Sequence, residues 1–495
     1  METTLNILNN APIGTINPRL YGHFAEHLGR CCYDGLWVKD QQGKSSFRSD
    51  VLTALKALPV PMLRWPGGCY ADHYHWRDGI GPQDKRTRRL GMSCGLIVED
   101  DNSLGTHEFI SLCRQIGAEP YLAGNVGSGT PQELCDWLEY CNAAINTSLV
   151  QERRANGSDK PFGVKLWGVG NENWGCGGNY DSVTYAKEYR RYATMLRHVD
   201  PSVELVLGGA GGAVGTPDWL ERWNTELIQT LNRNLDLVDH ISIHVYWIHG
   251  GAESAFTAEE YYGLLGEAHH TEEAIKNTAQ MLHEEAGNRK IGIALDEWGV
   301  WHPEARPWGP GQVERRDPIT YEQANTLRDA LAAGIALEGI HRQCNVLSLA
   351  NLAQIVNVLQ SVVNTDSQRM WLTPTYHALH LHTAHIGAQA LPVEVAQGDS
   401  LPDGTSAVTA TASTSPRGMA VTFINRHYTD QATVRFKAAG KAASGKLLSA
   451  DKANMGNTAD APNAVHLVDL AVNRDGVDGW CVELPPHSMA TVVIA

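Results

Sequence analysis

Two glutamates, each closing a short apolar run, are the residues of this chain best suited to chemistry. Leu166-Trp167-Gly168-Val169-Gly170-Asn171-Glu172-Asn173-Trp174 and Ile293-Ala294-Leu295-Asp296-Glu297-Trp298-Gly299 each read as a buried β-strand that turns polar at its end. Two carboxyl groups facing each other can split a glycosidic bond. One protonates the leaving oxygen and the other serves the anomeric carbon. At a separation of roughly 5 Å the second acts as a nucleophile, whereas at roughly 6.5–9.5 Å a water fits between them and configuration inverts. Glu172 is assigned as general acid/base and Glu297 as nucleophile. A single strand-end glutamate would read as a solvated residue or half of an ion pair. Two of them, with Asn171 directly before the first, read as an active site. Asn171 is suited to hold the hydroxyl beside the anomeric carbon, a contact that strengthens in the transition state. Glu172 must arrive protonated, and an apolar lining such as Trp174 favours that form by desolvation. Glu297 must stay ionised, and Arg64, at the end of an earlier strand, supplies the charge to keep it so. His244 also ends a strand and is placed toward the same pocket, with a hydrogen-bonded structural histidine as the competing reading.

These residues need a frame that brings distant strand ends together. Strands are predicted at Leu20–Phe24, Pro61–Trp65, Pro120–Gly124, Lys165–Gly170, Val203–Leu207, His240–Val245, Lys290–Asp296 and Asn345–Ala350. Amphipathic stretches between them include Asp50–Leu58, Thr106–Ile116, Pro131–Asn146, Ser182–Val199 and Tyr321–Glu338. Eight buried strands alternating with helices predict a closed (β/α)8 TIM barrel, whose active site lies at the C-terminal ends of its strands. Glu172 then ends the fourth strand and Glu297 the seventh, on opposite sides of the mouth. Beyond about residue 385 the texture changes to Val- and Thr-rich runs, Ala407–Ala412, Met419–Asn425, Ala432–Phe436 and Met489–Ile494, separated by Gly, Pro, Asn and Asp. This predicts a C-terminal antiparallel β-sandwich, jelly-roll-like, joined by the N-terminal strand Thr4–Leu8. The division expected is 1–16 for the N-terminal strand, 17–384 for the barrel and 385–495 for the sandwich.

Composition narrows the partners. With 43% hydrophobic and 19% charged residues the chain has ample material for a core. Its formal net charge of −15 disfavours nucleic acid and anionic membrane surfaces as partners. No apolar run approaches a membrane span, and Met1–Ile7 has neither the basic nor the continuous apolar part of a secretory signal, so a cytoplasmic location is expected. The ten cysteines contain no CxxC pair and are expected to be free thiols. No cofactor or metal is expected. His377, His380, His382 and His385 lack an acid at ligand spacing, and Gly208–Gly215 puts Val214 where a dinucleotide fingerprint needs its third glycine.

Several further segments resemble the α-L-arabinofuranosidases of glycoside hydrolase family 51. They are Tyr21-Gly22-His23-Phe24-Ala25-Glu26-His27, Arg64-Trp65-Pro66-Gly67-Gly68, Trp76-Arg77-Asp78-Gly79-Ile80-Gly81-Pro82, Gly105-Thr106-His107-Glu108-Phe109, Asn351-Leu352-Ala353-Gln354-Ile355-Val356-Asn357 and Leu484-Pro485-Pro486-His487-Ser488. The resemblance spans nearly the whole chain. It implies exo-acting release of terminal arabinofuranosyl units from arabinan or arabinoxylan oligosaccharides by double displacement. It also implies a homo-oligomer, often a hexamer. Carried over by position, it implies that Glu26 binds furanose hydroxyls, that Tyr246 lies close to the nucleophile, that Gln354 meets the exocyclic hydroxymethyl group and that Trp301 walls the pocket. One position departs from the commoner pattern: Cys69 stands where many relatives carry Asn, and a thiol is a weaker hydrogen-bond partner for the sugar. Other outcomes compatible with the fold are a β-xylosidase or an endo-β-1,4-glucanase on the same barrel, a non-catalytic carbohydrate-binding barrel and a metal-dependent sugar isomerase.

Overall fold

The computed structural model describes residues 1–211, 220 and 222–495. Eight parallel strands close a barrel: β1 (Gly22–Phe24), β2 (Met62–Trp65), β3 (Glu119–Gly124), β4 (Leu166–Val169), β5 (Glu204–Leu207), β6 (His240–Trp247), β7 (Gly292–Val300) and β8 (Leu347–Ala353). Each pairs with its neighbours in chain order, and β8 closes onto β1 through Asn351 opposite Gly22 and Ala353 opposite Phe24. Met62, Tyr121, Leu166, Val206, Ala294 and Leu349, from six different strands, form a buried cluster of their own. It is distinct from the larger core in which strands meet helices, as a filled barrel requires.

Some element ends differ from expectation, and the differences fall near the mouth. The seventh strand continues through Glu297 to Val300, because β6 remains hydrogen-bonded beside it with His244 opposite Glu297 and Tyr246 opposite Gly299. The helix expected from Tyr321 starts at Leu327. Thr326 and Asp329 form a capping box there, and Tyr321 has a φ of +58°, outside the helical region. The helix expected to reach Asn146 ends at Asn142, and a separate helix covers Ser148–Ala155. In the glycine-rich run after β5, a Cβ on Gly211 would lie 1.6 Å from the His244 carbonyl oxygen, so glycine there permits close backbone approach. Residues 212–215 of that run lie outside the described residues.

The C-terminal part consists of two sheets around a second core. One is five-stranded, in the order Val393–Gln397, Glu2–Ile7, Ala432–Lys437, Gly479–Leu484 and Asn473–Arg474. The other is seven-stranded and built mainly on Val408–Ser415, Gly418–Asn425, Ser488–Ile494 and Ala443–Leu448. The N-terminal strand sits inside the first sheet, antiparallel to Val393–Gln397 but parallel to Ala432–Lys437. The sandwich is therefore antiparallel with one exception, which arises because this strand comes from the far end of the chain and not from a hairpin. His382 and His385 are buried, the first bonded to the Ala378 carbonyl and the second to Ser413 and Thr422, which accounts for them as packing residues. Among the described residues no helix is long and apolar enough to cross a membrane.

Candidate active site

The strand ends enclose a cavity of about 420 Å³, lined by Glu26, Cys69, Asn171, Glu172, His244, Tyr246, Glu297, Trp301 and Gln354. Trp174, Trp308 and Cys176 join them in the wall. Arg64 lies behind, 1% exposed, and organises the floor. Its Nη1 donates to Glu297 Oε1 at 2.8 Å and its Nη2 to Asn171 Oδ1 at 2.7 Å. The Phe24 ring lies 4.6 Å from the guanidinium. Burial alone would disfavour the charge on Arg64, but Asp296 and Glu297 outweigh it and hold the guanidinium charged. Asp296 is in turn fixed by the Tyr121 hydroxyl and the Asn351 amide, both at 2.8 Å. With Oδ1 of Asn171 occupied by Arg64, its Nδ2, which directs one N–H at Cys176 Sγ 3.8 Å away, keeps a second N–H to donate toward a ligand.

Glu297 accepts from the Tyr246 hydroxyl at 2.7 Å through its other oxygen. Burial pushes its carboxyl upward, but His244, Arg64 and Tyr246 together prevail and hold it below its ordinary range. Gly68 makes this crowding possible, since a Cβ there would lie 2.8 Å from Glu297 Oε1. His244 stands between the two carboxylates, its Nδ1 3.0 Å from Glu172 Oε1 and 3.5 Å from Glu297 Oε2. Burial favours the neutral ring, yet Glu297 and Glu172 outweigh it and raise the His244 pKa above its ordinary value. One oxygen of Glu172 and one of Glu297 lie within 4.8 Å of each other. The Glu172 side chain is 22% exposed and that of Glu297 8%, so Glu172 is the one with access to water. Glu172 also has a φ of +39°, in the left-handed region, where a non-glycine residue costs about 1–3 kcal/mol and marks a site worth a functional explanation.

Glu26 forms the opposite wall. Its Oε1 accepts from the Gly68 and Tyr70 N–H groups, both at 3.0 Å, and from Ser93 Oγ at 2.8 Å, while Oε2 accepts from Gln354 Nε2 at 3.0 Å. Burial, reinforced by Glu297, pushes its pKa to about 7 despite those donors. The native chain therefore keeps a proton that the unfolded chain loses from its ordinary value of 4.5 upward. Stability should fall as pH rises through this window, by up to about 3 kcal/mol at its upper end. Glu26→Gln removes the titration, and Gln354 can turn its otherwise unpaired Oε1 to accept from the new amide. The variant should gain in melting temperature on the parent between about pH 5 and about pH 8. A constant difference across that range would show that Glu26 is ionised throughout.

Tyr246 and Trp301 meet edge to face with ring centroids 5.2 Å apart, forming one aromatic wall. The cysteine expectation is corrected here: Cys69 is bonded to Cys176, a partner 107 residues away. Cys69 lines the cavity as half of a disulfide and not as a thiol donor. Spacing along the chain held no signal for this pair, because the barrel alone brings the loops after β2 and β4 together. Trp308 was likewise not anticipated. It lies beyond the seventh strand, and its ring reaches the pocket by packing 4.9 Å from Trp301. Among the described residues, two groups could hold a metal ion, Glu172–His244–Glu297 and Cys69–Glu172–Cys176.

Comparison with known proteins places this geometry among relatives. Residues 54–254 match the family model described as the alpha-L-arabinofuranosidase 1 domain, and residues 296–488 match the alpha-L-arabinofuranosidase C-terminal domain. The chain is 38% identical over 492 residues to an intracellular exo-alpha-L-arabinofuranosidase of Bacteroides ovatus, covering 96% of this chain and 92% of that one. The GH51 arabinofuranosidase from Xanthomonas axonopodis pv. citri superposes with a TM-score of 0.90 at 32% identity, covering 100% of both chains. The alpha-L-arabinofuranosidase from Thermotoga maritima, solved as an arabinose complex, superposes with a TM-score of 0.85 at 30% identity over 99% of each.

Proposed function

Since the chain belongs to the α-L-arabinofuranosidases of glycoside hydrolase family 51, we propose that it releases terminal arabinofuranosyl units with retention of configuration, Glu297 acting as nucleophile and Glu172 as general acid/base. The observation that carries this reading is the approach of the two carboxylates to within 4.8 Å. That spacing suits direct attack and leaves too little room for an intervening water. Glu297 attacks the anomeric carbon while Glu172 gives its proton to the departing oxygen, forming an arabinosyl-enzyme. Glu172 then takes a proton from water, which attacks the same carbon and frees arabinose.

The other residues take supporting parts. Arg64 and Tyr246 keep Glu297 ionised and aimed, and Asn171 Nδ2 is available to the 2-hydroxyl. Glu26 binds ring hydroxyls and Gln354 the exocyclic hydroxymethyl group. His244 orients Glu172, and the Trp301 face packs against the sugar. The disulfide form of Cys69 supplies shape there and no N–H or O–H donor. A cavity of about 420 Å³ suits a single terminal sugar with the start of its leaving group, which supports exo action on oligosaccharides. The proposal extends to work inside the cell on imported fragments, in keeping with the description of the Bacteroides ovatus relative, and to a homo-oligomeric assembly.

Initial rates on 4-nitrophenyl α-L-arabinofuranoside, β-D-xylopyranoside and β-D-glucopyranoside, each with EDTA, test the substrate class. The arabinofuranoside should dominate. A dominant rate on either pyranoside would discard the furanose pocket while keeping the carboxylate chemistry. NMR of the first-formed sugar tests the stereochemistry, and initial appearance of the inverted anomer would overturn the double displacement.

A further inference from the structure

The Cys69–Cys176 bond lies in the cavity wall against the residue assigned as acid/base. Cys176 Sγ is 3.8 Å from Glu172 Oε2, and a third cysteine, Cys94, places its Sγ 3.8 Å from that of Cys69. We propose that reduction of this disulfide creates a binding site for a thiophilic divalent cation, Zn²⁺ by its ligand chemistry, formed by Cys69, Cys176 and Glu172, and that the bound ion shuts the enzyme down. The consequence for activity rests on the role of Glu172 given above. The binding itself does not.

The chemistry balances with a dithiol as reductant. The Cys69–Cys176 bond breaks, two hydrogens pass from the dithiol to the two sulfurs, and the dithiol leaves as a cyclic disulfide. On binding, both thiols release their protons to solvent and each sulfur forms a bond to zinc, while Glu172 contributes a carboxylate oxygen. Tetrahedral zinc with bonds of roughly 2.3 Å to sulfur and roughly 2.0 Å to oxygen spaces its ligand atoms roughly 3.5–3.8 Å apart. The Cys176–Glu172 and Cys94–Cys69 separations already have that spacing. The bonded pair must part, and the ligand atoms of Cys69, Cys176 and Glu172, already within 4.8 Å of one another on Cα atoms of the cysteines 5.4 Å apart, are placed to converge by side-chain rotation. Cys94 or a water can complete the coordination. The alternative group, Glu172–His244–Glu297, is less suited, because its carboxylates are already paired with His244 and with the Arg64 guanidinium. A cation on Glu172 removes its proton and blocks the path of the leaving group. In an oxidising setting the disulfide withholds both thiolates, so redox state would decide whether zinc inhibits.

The full-length protein, reduced with dithiothreitol and freed of it under argon, is titrated with Zn²⁺ against a chromogenic chelator, beside the oxidised protein. One zinc per reduced chain is expected and none per oxidised chain. Aryl arabinofuranoside hydrolysis should fall at least about tenfold at stoichiometric zinc and return with EDTA. Co²⁺ in place of Zn²⁺ should give the intense thiolate-to-cobalt charge-transfer band. Cys176→Ser should lose zinc binding, and its own rate should be the same with and without zinc. Equal binding by oxidised and reduced protein, or binding that survives in Cys176→Ser, would put the ion on other ligands and overturn the proposal. Thiolate-bound zinc that leaves hydrolysis intact would show that Glu172 is not a ligand and would overturn the proposal, while the acid/base role of Glu172 is tested independently by azide rescue of Glu172→Ala.

Discussion

Glu297→Ala should lower kcat on an aryl α-L-arabinofuranoside by roughly 10⁴-fold or more, the scale at which hydrolases lose activity with their covalent nucleophile. That corresponds to more than about 5 kcal/mol of transition-state stabilisation. The loss is large because no neighbour can replace the group. The Arg64 guanidinium has no lone pair to offer, burial beside the carboxylates keeps the Tyr246 hydroxyl protonated and a poor nucleophile, and Asp296, next in sequence, is turned away and held by Tyr121 and Asn351. The variant also leaves Arg64 with one fewer partner in a site where it is 1% exposed. Circular dichroism and a melting curve therefore accompany the kinetics, to separate lost chemistry from lost fold. A folded variant retaining a tenth of parental kcat would mean that Glu297 is not the nucleophile.

Glu172→Ala should show a different pattern, set by the leaving group. An alkyl or sugar leaving group needs the proton, so natural oligosaccharides should lose roughly 10²–10⁴-fold. A dinitrophenyl leaving group does not, so its first step should survive while hydrolysis of the arabinosyl-enzyme slows, giving a burst of phenolate followed by a low steady rate. Azide is small and needs no general base. It should restore turnover and yield arabinofuranosyl azide of retained configuration. If azide failed to accelerate the variant on the activated substrate, the acid/base assignment would be wrong. His244 sharpens this test. It stands between the two carboxylates, 3.0 Å from Glu172 and 3.5 Å from Glu297, but its side chain is only 6% exposed, so it does not share the access of Glu172 to water and cannot take over the general-base step.

Much of this protein was legible in its residues because the relevant physics is local or periodic. Apolar runs of strand length, broken by amphipathic helices, are buried on both faces of a parallel sheet, and eight such units in a row point to a closed barrel. Glu172 and Glu297 then had to lie at its mouth, since residues at strand ends share a rim whatever their distance along the chain. Arg64 could be assigned to Glu297 on the same ground, and the structure joins them at 2.8 Å. The parts that were not legible depend on contacts between loops. Where β7 ends is decided by the continued pairing of β6 beside it, and the start of the helix at Leu327 by a capping box after a left-handed turn. Neither is marked by hydrophobic period alone.

The cysteines show the divide most clearly. Sequence determined that ten thiols exist and that no short-range pair among them forms a metal framework. Only the tertiary structure brings Cys69 and Cys176 together from 107 residues apart and lays their bond beside Glu172. The pairing of two sulfurs depends on distance and direction between two loops, and those are set by the packing of β2 and β4 around the whole barrel. The same holds for the buried Glu26 carboxyl. Its residue type and place were readable in the chain, but its raised pKa comes from burial beside Glu297. Residue type and period could be read one segment at a time, whereas desolvation and through-space charge exist only once the segments have met.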